Sequence, residues 1–434
     1  MNERQTLKIN EKNHLEIGGV DCTLLKEQYG TPLYVMDQQY IEDMCTIYSK
    51  TLKEEYGDGL ICYASKAFSC LEIYRIINKM GIGADSVSGG ELYTAFKANF
   101  PMEKICFHGN NKTCNELEFA ICNNVGYIVV DSYSEADLID EICVKLNRTQ
   151  NVLIRVNPGV EAHTHHFIQT ATVDSKFGFS IKNGQAKEMV QYVSKKKNLK
   201  LLGLHCHIGS QIFENKSFEL AVEKMTDFYQ ELKNDLHIEF DVLNLGGGFG
   251  IYYSEGDSKK TCEQYADYIK VISASLLNAV NKKGLKKPFL ILEPGRSIVG
   301  EAGITLYTAG SIKQIKDVKN YIAIDGGMFD NPRFALYQAK YTVVSASNMT
   351  APKTVEYSIA GKCCESGDLI AEDVILPPIN KGDLLAVLST GAYNYSMASN
   401  YNRNLIPPVV MVKNGQSKYI VKPQTYEDII RNDV

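Results

Sequence analysis

The stretch LICYASKAF, residues 60–68, decides how the fold of this chain is interpreted. Residues 60–65 are apolar or small, as in a buried strand, and Lys66 follows them directly. Lysine is almost never fully buried unless it is paired, so an amine at the end of such a strand needs a reason. Taken alone, Lys66 is more simply explained as a surface lysine whose stem covers apolar residues.

The same pattern of apolar strand, turn and amphipathic helix repeats along the chain. Strands that alternate with helices predict a parallel sheet that is buried on both faces. The repeats between residues 32 and 300 fit a closed (β/α)8 barrel, and a doubly wound open sheet fits almost as well. The strand candidates are PLYVMD (32–37), LICYAS (60–65), GIGADSV (81–87), KICFHG (104–109), YIVVDS (127–132), NVLIRVNP (151–158), LLGLHCHIG (201–209), FDVLNLGGG (240–248) and PFLILEPG (288–295).

The pattern changes after about residue 300 into short strands separated by turn residues, which is typical of a mostly antiparallel β domain. The N-terminal segments TLKIN and HLEIGG read as two more such strands. We therefore predict an α/β fold in which residues 37–298 form the barrel. Residues 1–36 and 299–434 are predicted to form a β domain that is built from both chain ends.

Composition limits the classes of function. The chain has 434 residues and a formal net charge of −5, which gives no electrostatic argument for binding nucleic acid or a membrane. There is no run of about 18 apolar residues and no apolar signal-peptide core, so we expect a cytoplasmic protein. The twelve cysteines lack a framework spacing, so we expect reduced thiols, with disulfides as the minor alternative.

Four motifs place unusual residues where predicted strands end: YASKAF (63–68), HCHIGSQ (205–211), NLGGGFG (244–250) and EPGRSIV (293–299). In a barrel the carboxyl ends of the strands surround the active site, so one pocket can hold all four motifs. A lysine in an apolar environment has a lowered pKa, and its neutral amine attacks carbonyl groups. That amine is what a Schiff base with pyridoxal phosphate requires.

Two of these motifs carry anion-binding and acidic groups. Residues 246–248 are three glycines, which either form a simple turn or let backbone N–H groups approach a phosphate. Glu293 either pairs with Arg296 or holds a pyridine nitrogen protonated, which makes the ring an electron sink. Arg296 could also bind a carboxylate or phosphate with two parallel hydrogen bonds.

The histidines allow two interpretations. His205 and His207 stand two residues apart on one side of a strand, and with HTHH at 163–166 they could bind zinc. Alternatively, one ring packs flat against a planar cofactor and the Ser210 hydroxyl bonds its phosphate. We favour the second interpretation and expect no metal.

The C-terminal part adds NPRFALY (331–337), CCESGD (363–368) and GAYNYSMASNYN (391–402). Cys364 is either a core thiol or, near a reactive site, a proton donor. Tyr393 is either a packed tyrosine or an aromatic ring presented from a tight turn.

Together the motifs resemble diaminopimelate decarboxylases, of the alanine racemase-like (fold type III) group of pyridoxal-phosphate enzymes. The resemblance runs from about residue 30 to 425. It departs from the family's usual pattern at Ser86 and Phe334, and neither position removes a reacting group. It rests on the ordered motifs YASKAF, ADSVSGGE, DSKFG, HCHIGSQ, NLGGGFGI, EPGRSIV, NPRFALY, CESGD and GAYNYSMASNYN.

The resemblance implies a site for pyridoxal 5'-phosphate. Lys66 forms the Schiff base, His207 stacks on the ring, and Glu293 is the partner of the pyridine nitrogen. The other implied cofactor contacts are Ser210, Gly246, Gly247, Gly248, Pro294, Gly295, Arg296 and Tyr393.

The resemblance also implies a substrate site and a partner. Cys364 is the proton donor, and Glu365 binds the distal amino group; with Lys66 and His207, Cys364 completes the implied catalytic set. The CESGD segment reaches into the pocket of a second subunit, which implies a homodimer with shared active sites. The implied substrate contacts, chiefly to carboxylates, are Arg296, Arg333, Tyr337 and Tyr393.

The expected reaction is decarboxylation of meso-2,6-diaminoheptanedioate to L-lysine and CO2, the last step of lysine biosynthesis. Arg333 and Glu365 would complement a distal end that carries both a carboxylate and an amine. The nearest alternative is another decarboxylase of this fold, acting on ornithine, arginine or a carboxylated polyamine. An alanine racemase, a non-catalytic homologue and a metalloenzyme are further alternatives.

Overall fold

The computed structural model describes residues 7–160 and 175–434, and its chain forms two compact units. The barrel unit comprises the described residues of 44–250 and 260–297. The second unit comprises the described residues up to Asp43 together with 251–259 and 298–434.

The barrel unit is built on eight parallel strands that close on themselves. Each strand pairs with the next along the chain, and Phe289–Leu292 returns to pair with Gly59–Ala64, with Leu290 opposite Gly59. A short strand, Phe179–Ser180, pairs additionally with the fifth strand. The eight strands are Gly59–Ala64, Gly83–Ser86, Ile105–Phe107, Tyr127–Val130, Gln150–Asn157, Leu199–His205, Val242–Asn244 and Phe289–Leu292. The expected closed barrel is confirmed.

Helices separate the barrel strands, and their ends follow capping rules. Tyr133–Leu146 begins after Ser132, whose hydroxyl accepts the Glu135 N–H, and Ala266–Lys283 ends at Gly284 with a φ of +59°. The first helix, Gln38–Glu55, runs from the second unit into the barrel unit. The others are Leu71–Lys79, Gly89–Lys97, Cys114–Cys122, Gln185–Val193, Asn215–Leu236 and the short Arg296–Val299.

The barrel interior is a packed core and not a pore. Six of the eight strands contribute to one buried apolar cluster, so side chains fill the centre. The cluster comprises Cys62, Cys106, Val129, Leu153, Val242 and Ile291. Because the centre is filled, an active site can form only at the ends of the strands.

The second unit is a mostly antiparallel sheet built from both chain ends, as predicted. Its central strand, Gly303–Ile315, pairs antiparallel with three neighbours, and two pairings elsewhere in the sheet are parallel. The other strands of the sheet are Leu33–Asp37, Lys319–Ile324, Val343–Ser345, Val355–Ala360, Leu369–Leu376, Leu384–Leu388, Val409–Lys413 and Gln416–Val421. Leu7–Ile9, Leu15–Ile17 and Val20–Asp21 form a separate small sheet, and the helices are Cys22–Tyr29, Arg333–Tyr337 and Tyr426–Ile430.

One strand of the predicted strand–helix repeat lies in a different sheet. PLYVMD corresponds to Leu33–Asp37, which pairs with Gly303–Ile315 and Val409–Lys413 in the second unit. All five residues of this strand are buried, so its apolar run matches that of a barrel strand. The sequence pattern alone therefore could not separate the two.

The structure contains no disulfide among its described residues, which include all twelve cysteines. None of the described helices has the length and apolar character needed to cross a bilayer.

Candidate active site

Lys66 lies where the first barrel strand ends. Gly59–Ala64 is followed at once by a single 3-10 turn, Ser65–Ala67, that carries the lysine. The Lys66 side chain is 41% exposed, and its Nζ lies 3.5 Å from Oδ2 of Asp85, which is 1% exposed. Burial raises the pKa of the Asp85 carboxyl, and the neighbouring Lys66 and His108 side chains offset only part of this effect. The amine thus stands at the edge of a buried polar cluster and still reaches solvent.

Glu293 follows the eighth strand and is buried among hydrogen-bond donors. Its Oε1 accepts from His108 Nε2 at 2.8 Å and from Asn244 Nδ2 at 2.6 Å. His205 Nε2 lies 3.4 Å from Oε2. Burial alone would raise the pKa of the Glu293 carboxyl, but contact with His108 and His205 holds it well below its usual value. The site therefore keeps an ionised carboxylate in a buried position.

The two histidines of HCHIGSQ have different partners. The sixth strand ends at His205, and burial lowers the pKa of this ring to about 3. His207 lies beyond the strand, and its Nδ1 accepts a 3.4 Å hydrogen bond from the Gly247 N–H. Burial, followed by the charge of Lys66, holds the pKa of His207 well below its usual value. Both rings are therefore neutral, and a neutral flat ring such as His207 is suited to stacking.

One buried cluster at the strand ends has the residue types of a metal site. His108, His205 and Glu293 bring ligand-type atoms within 4.8 Å of one another. With Glu293 ionised, the 2.8 Å contact makes His108 Nε2 the donor, so that nitrogen has no lone pair for a metal. The HTHH run at 163–166 lies outside the described residues. His108 and Glu293 are thus joined by a hydrogen bond, whereas the buried His205 Nδ1 has no partner among the described residues.

The three glycines fit the close approach of an anion to the backbone. Gly246 and Gly248 have φ values of +65° and +106°, which favour glycine. A Cβ on Gly247 would lie 2.1 Å from the Glu293 carbonyl oxygen, and one on Gly248 would lie 2.2 Å from that of Gly209. Side chains are therefore excluded here, so a ligand can approach the backbone closely. The N–H groups of Gly246 and Gly247 already donate to Asn244 Oδ1 at 2.9 Å and to His207 Nδ1 at 3.4 Å.

Arg296 and Ser210 meet beside these glycines. Ser210 Oγ accepts hydrogen bonds from Arg296 Nη2 at 2.9 Å and from Arg296 Nε at 3.3 Å. Pro294 and Gly295 pack against the first strand: the Pro294 carbonyl accepts the Ala64 N–H at 3.1 Å. A hydroxyl and a guanidinium beside a glycine backbone without side chains suit a phosphate, so the residues present fit pyridoxal phosphate.

In the second unit, Arg333 lies among tyrosines. Its guanidinium carbon is 5.5 Å from the ring centroids of both Tyr337 and Tyr393. Tyr393 has a φ of +63°, an uncommon conformation for a non-glycine residue that marks a constrained turn. These predicted substrate residues are therefore grouped in space although 60 positions separate Arg333 from Tyr393.

The CESGD segment presents its reactive groups outward. Cys364 and Glu365 are both exposed, and the Cys364 N–H donates to Asn402 Oδ1 at 3.0 Å. Asp368 anchors the segment, since its carboxylate accepts the Cys363 N–H at 2.7 Å and the Met328 N–H at 2.5 Å. The structure thus fixes the base of the loop and leaves its tip exposed.

Sequence analysis did not single out four residues of this region: Asp85, His108, Asn244 and Arg155. The first three stand at or just after the end of an apolar strand, so the rule that singled out Lys66 would also have found them. Arg155 lies within the fifth strand, and burial lowers the pKa of its guanidinium. No sequence signal distinguished it from a surface arginine.

The barrel with its lysine, buried glutamate and glycine turn defines a class of cofactor-dependent barrel enzymes. The family model described as "Pyridoxal-dependent decarboxylase, pyridoxal binding domain" matches residues 43–300. The chain belongs to this family.

Full-length similarity narrows the relationship. The chain is 47% identical to the diaminopimelate decarboxylase of Bacillus subtilis over 99% of this chain and 97% of that protein. It is 50% identical to the enzyme of the same name from Bacillus methanolicus, over 96% of each chain. The crystal structure of diaminopimelate decarboxylase from M. jannaschii in complex with L-lysine matches with a TM-score of 0.92 at 37% identity, covering 99% of this chain and 98% of that one.

Proposed function

We propose that this chain decarboxylates meso-2,6-diaminoheptanedioate to L-lysine and CO2 with pyridoxal 5'-phosphate, which is the last step of lysine biosynthesis. The observation that carries the proposal is the buried Glu293 carboxylate, held ionised by His108 and Asn244 at the strand ends that also carry Lys66. The full-length relatives named diaminopimelate decarboxylase support the substrate.

The barrel unit supplies the groups that hold the cofactor. Lys66 would hold the cofactor through its amine, His207 would pack on the cofactor ring, and Glu293 would pair with the ring nitrogen. When bound, pyridoxal phosphate supplies an electron sink for the electron pair left when the bond to CO2 breaks. The phosphate would be held by Ser210, Gly246, Gly247, Gly248, Pro294, Gly295 and Arg296, with Tyr393 as a further cofactor contact.

The second unit supplies the groups that act on substrate. The Cys364 thiol donates a proton to the carbon that has lost CO2, and the exposed Glu365 binds the distal amino group. Arg333 and Tyr337 bind the distal carboxylate, with Arg296 and Tyr393 as further substrate contacts. An ornithine decarboxylase has no carboxylate to bind at this end, so a buried arginine there would lack a partner.

The exposed tip of the CESGD segment supports a homodimer, in which Cys364 and Glu365 act in the pocket of the second subunit. In this proposal residues 37–298 form the cofactor domain, whereas 1–36 and 299–434 supply substrate and dimer contacts. The protein acts in the cytoplasm on a small amino acid and binds neither nucleic acid nor a membrane.

The test is CO2 release by the cofactor-loaded protein from meso-2,6-diaminoheptanedioate, ornithine, arginine and a carboxylated polyamine, measured side by side. We expect turnover of the first substrate only, and Arg333→Ala should reduce its kcat/KM at least 100-fold. Preferred turnover of ornithine or of the carboxylated polyamine would replace the proposed substrate.

A further inference from the structure

Arg333 is a buried cation whose surroundings are aromatic. It is 9% exposed, and its Nε has no hydrogen-bond partner among residues 7–160 and 175–434. The ring faces of Tyr337 and Tyr393 each lie 5.5 Å from the guanidinium carbon. A guanidinium that lacks a protein carboxylate keeps its charge available for an anionic ligand.

Two further tyrosines, which neither the motifs nor the family resemblance singled out, complete the surroundings of Arg333. Tyr341 hydrogen-bonds the Arg333 side chain, and Tyr253 lies close to it. The rings of Tyr253 and Tyr341 pack edge to face, with centroids 5.3 Å apart and planes at 90°. Tyr253 therefore supports the ring whose hydroxyl contacts the arginine.

The backbone around these tyrosines is fixed. The Tyr253 carbonyl accepts the Thr342 N–H at 3.0 Å and the Thr342 hydroxyl at 2.8 Å. Asn394 Nδ2 donates to the Tyr341 hydroxyl at 3.4 Å. Residues 251–259 thus belong to the second unit although they follow the seventh barrel strand in sequence. This places Tyr253 in the same unit as Tyr341.

We propose that Tyr341 and Tyr253 are positioning residues that hold the Arg333 guanidinium in place for the substrate carboxylate that survives the reaction. The proposal rests on the proposed function. Tyr341 acts through its hydroxyl on the guanidinium, and Tyr253 acts mainly by packing on Tyr341. Neither residue touches the reacting atoms.

The chemistry of the reaction offers a selective probe. Loss of CO2 from one end of the substrate leaves the other amino-acid end intact, so the product L-lysine still carries the carboxylate that Arg333 binds. The diamine 1,5-diaminopentane has the same amine spacing without any carboxylate. A defect confined to Arg333 therefore weakens binding of L-lysine and spares the diamine.

The experiment compares Tyr341→Phe and Tyr253→Phe with wild-type holoenzyme. Tyr357→Phe is the matched control, because Tyr357 is also buried in the second unit and its hydroxyl accepts the Ile379 N–H. We expect the L-lysine inhibition constant and the substrate KM to rise about tenfold in Tyr341→Phe and about threefold in Tyr253→Phe. The inhibition constant of 1,5-diaminopentane and kcat should change less than twofold, and the control should match wild type.

Equal weakening of both inhibitors would overturn the proposal, because it would mean a general distortion of the site. Unchanged L-lysine inhibition in both variants would overturn it as well. Failure of the proposed function is a distinct result, since wild-type holoenzyme would then release no CO2 from meso-2,6-diaminoheptanedioate.

Discussion

Two buried carboxyl groups in this protein have opposite protonation behaviour. Glu293, at the end of the eighth barrel strand, accepts hydrogen bonds from two side chains and lies beside a third, and its pKa is held well below the usual value. Asp330, three residues before Arg333, receives the Tyr307 hydroxyl at 2.6 Å on Oδ1, while Oδ2 is buried without a partner among the described residues. Burial raises the pKa of Asp330 to about 8.

The difference shows that burial alone does not decide the charge of a carboxyl group, because its hydrogen-bond donors can outweigh burial. Glu293 is surrounded by imidazole and amide groups that favour the ionised form. At Asp330 burial is the largest influence and raises the pKa, the Tyr307 hydroxyl and the Gly327 N–H offset only part of this, and the nearby acids Asp325 and Asp368 add to it. The barrel end thus keeps a buried negative charge at Glu293, and the segment before Arg333 avoids one at Asp330.

Removing the charge of Glu293 should have the largest effect. Glu293→Gln keeps the size of the side chain but lacks the carboxylate that pairs with the ring nitrogen, so we expect kcat to fall about 100- to 1,000-fold. Steady-state CO2 release measures this, with cofactor content followed by absorbance. A variant that retains both cofactor and more than half of wild-type activity would contradict the role of Glu293.

Asp330→Asn should stabilise the protein at high pH. From pH 4 to pH 8 the unfolded chain releases a proton that folded Asp330 retains, so wild-type stability falls with rising pH because of this group. Asparagine removes this loss, and we expect a free energy of unfolding about 2–5 kcal/mol above wild type at pH 8, shrinking towards pH 4. Urea denaturation at several pH values measures the difference.

The exposed acid Glu427, in the same unit, provides the control for that series. Glu427→Gln should show no comparable change with pH. An Asp330→Asn variant whose stability runs parallel to wild type from pH 4 to pH 8 would mean that Asp330 is ionised, like Glu293.

The smallest effect is expected for Tyr307→Phe. The variant removes the hydroxyl that donates to Asp330, which costs about 1 kcal/mol of unfolding free energy at pH 5. Because that hydroxyl favours the ionised acid, the pKa of Asp330 should rise further in the variant. Urea denaturation of Tyr307→Phe and of the double variant with Asp330→Asn tests whether the two changes are coupled.

The sequence predicted alternating strands and helices because their periodicities recur in the barrel region, but this periodicity alone fitted an open doubly wound sheet almost as well as a closed barrel. It could not assign Leu33–Asp37 or residues 251–259, since local periodicity does not report which sheet or unit a segment joins. Lys66 and Glu293 were identifiable because polar residues at the ends of apolar strands are unusual. The contact of His108 with Glu293 was not, because barrel closure joins positions 185 residues apart.

The most direct test of the account is chemical trapping of the cofactor. Borohydride reduction of the holoenzyme followed by peptide mass spectrometry should place the pyridoxyl group on Lys66, and Lys66→Ala should carry none and release no CO2. Trapping on a different lysine, or full trapping in Lys66→Ala, would contradict the assignment of the first barrel strand's end as the centre of the active site.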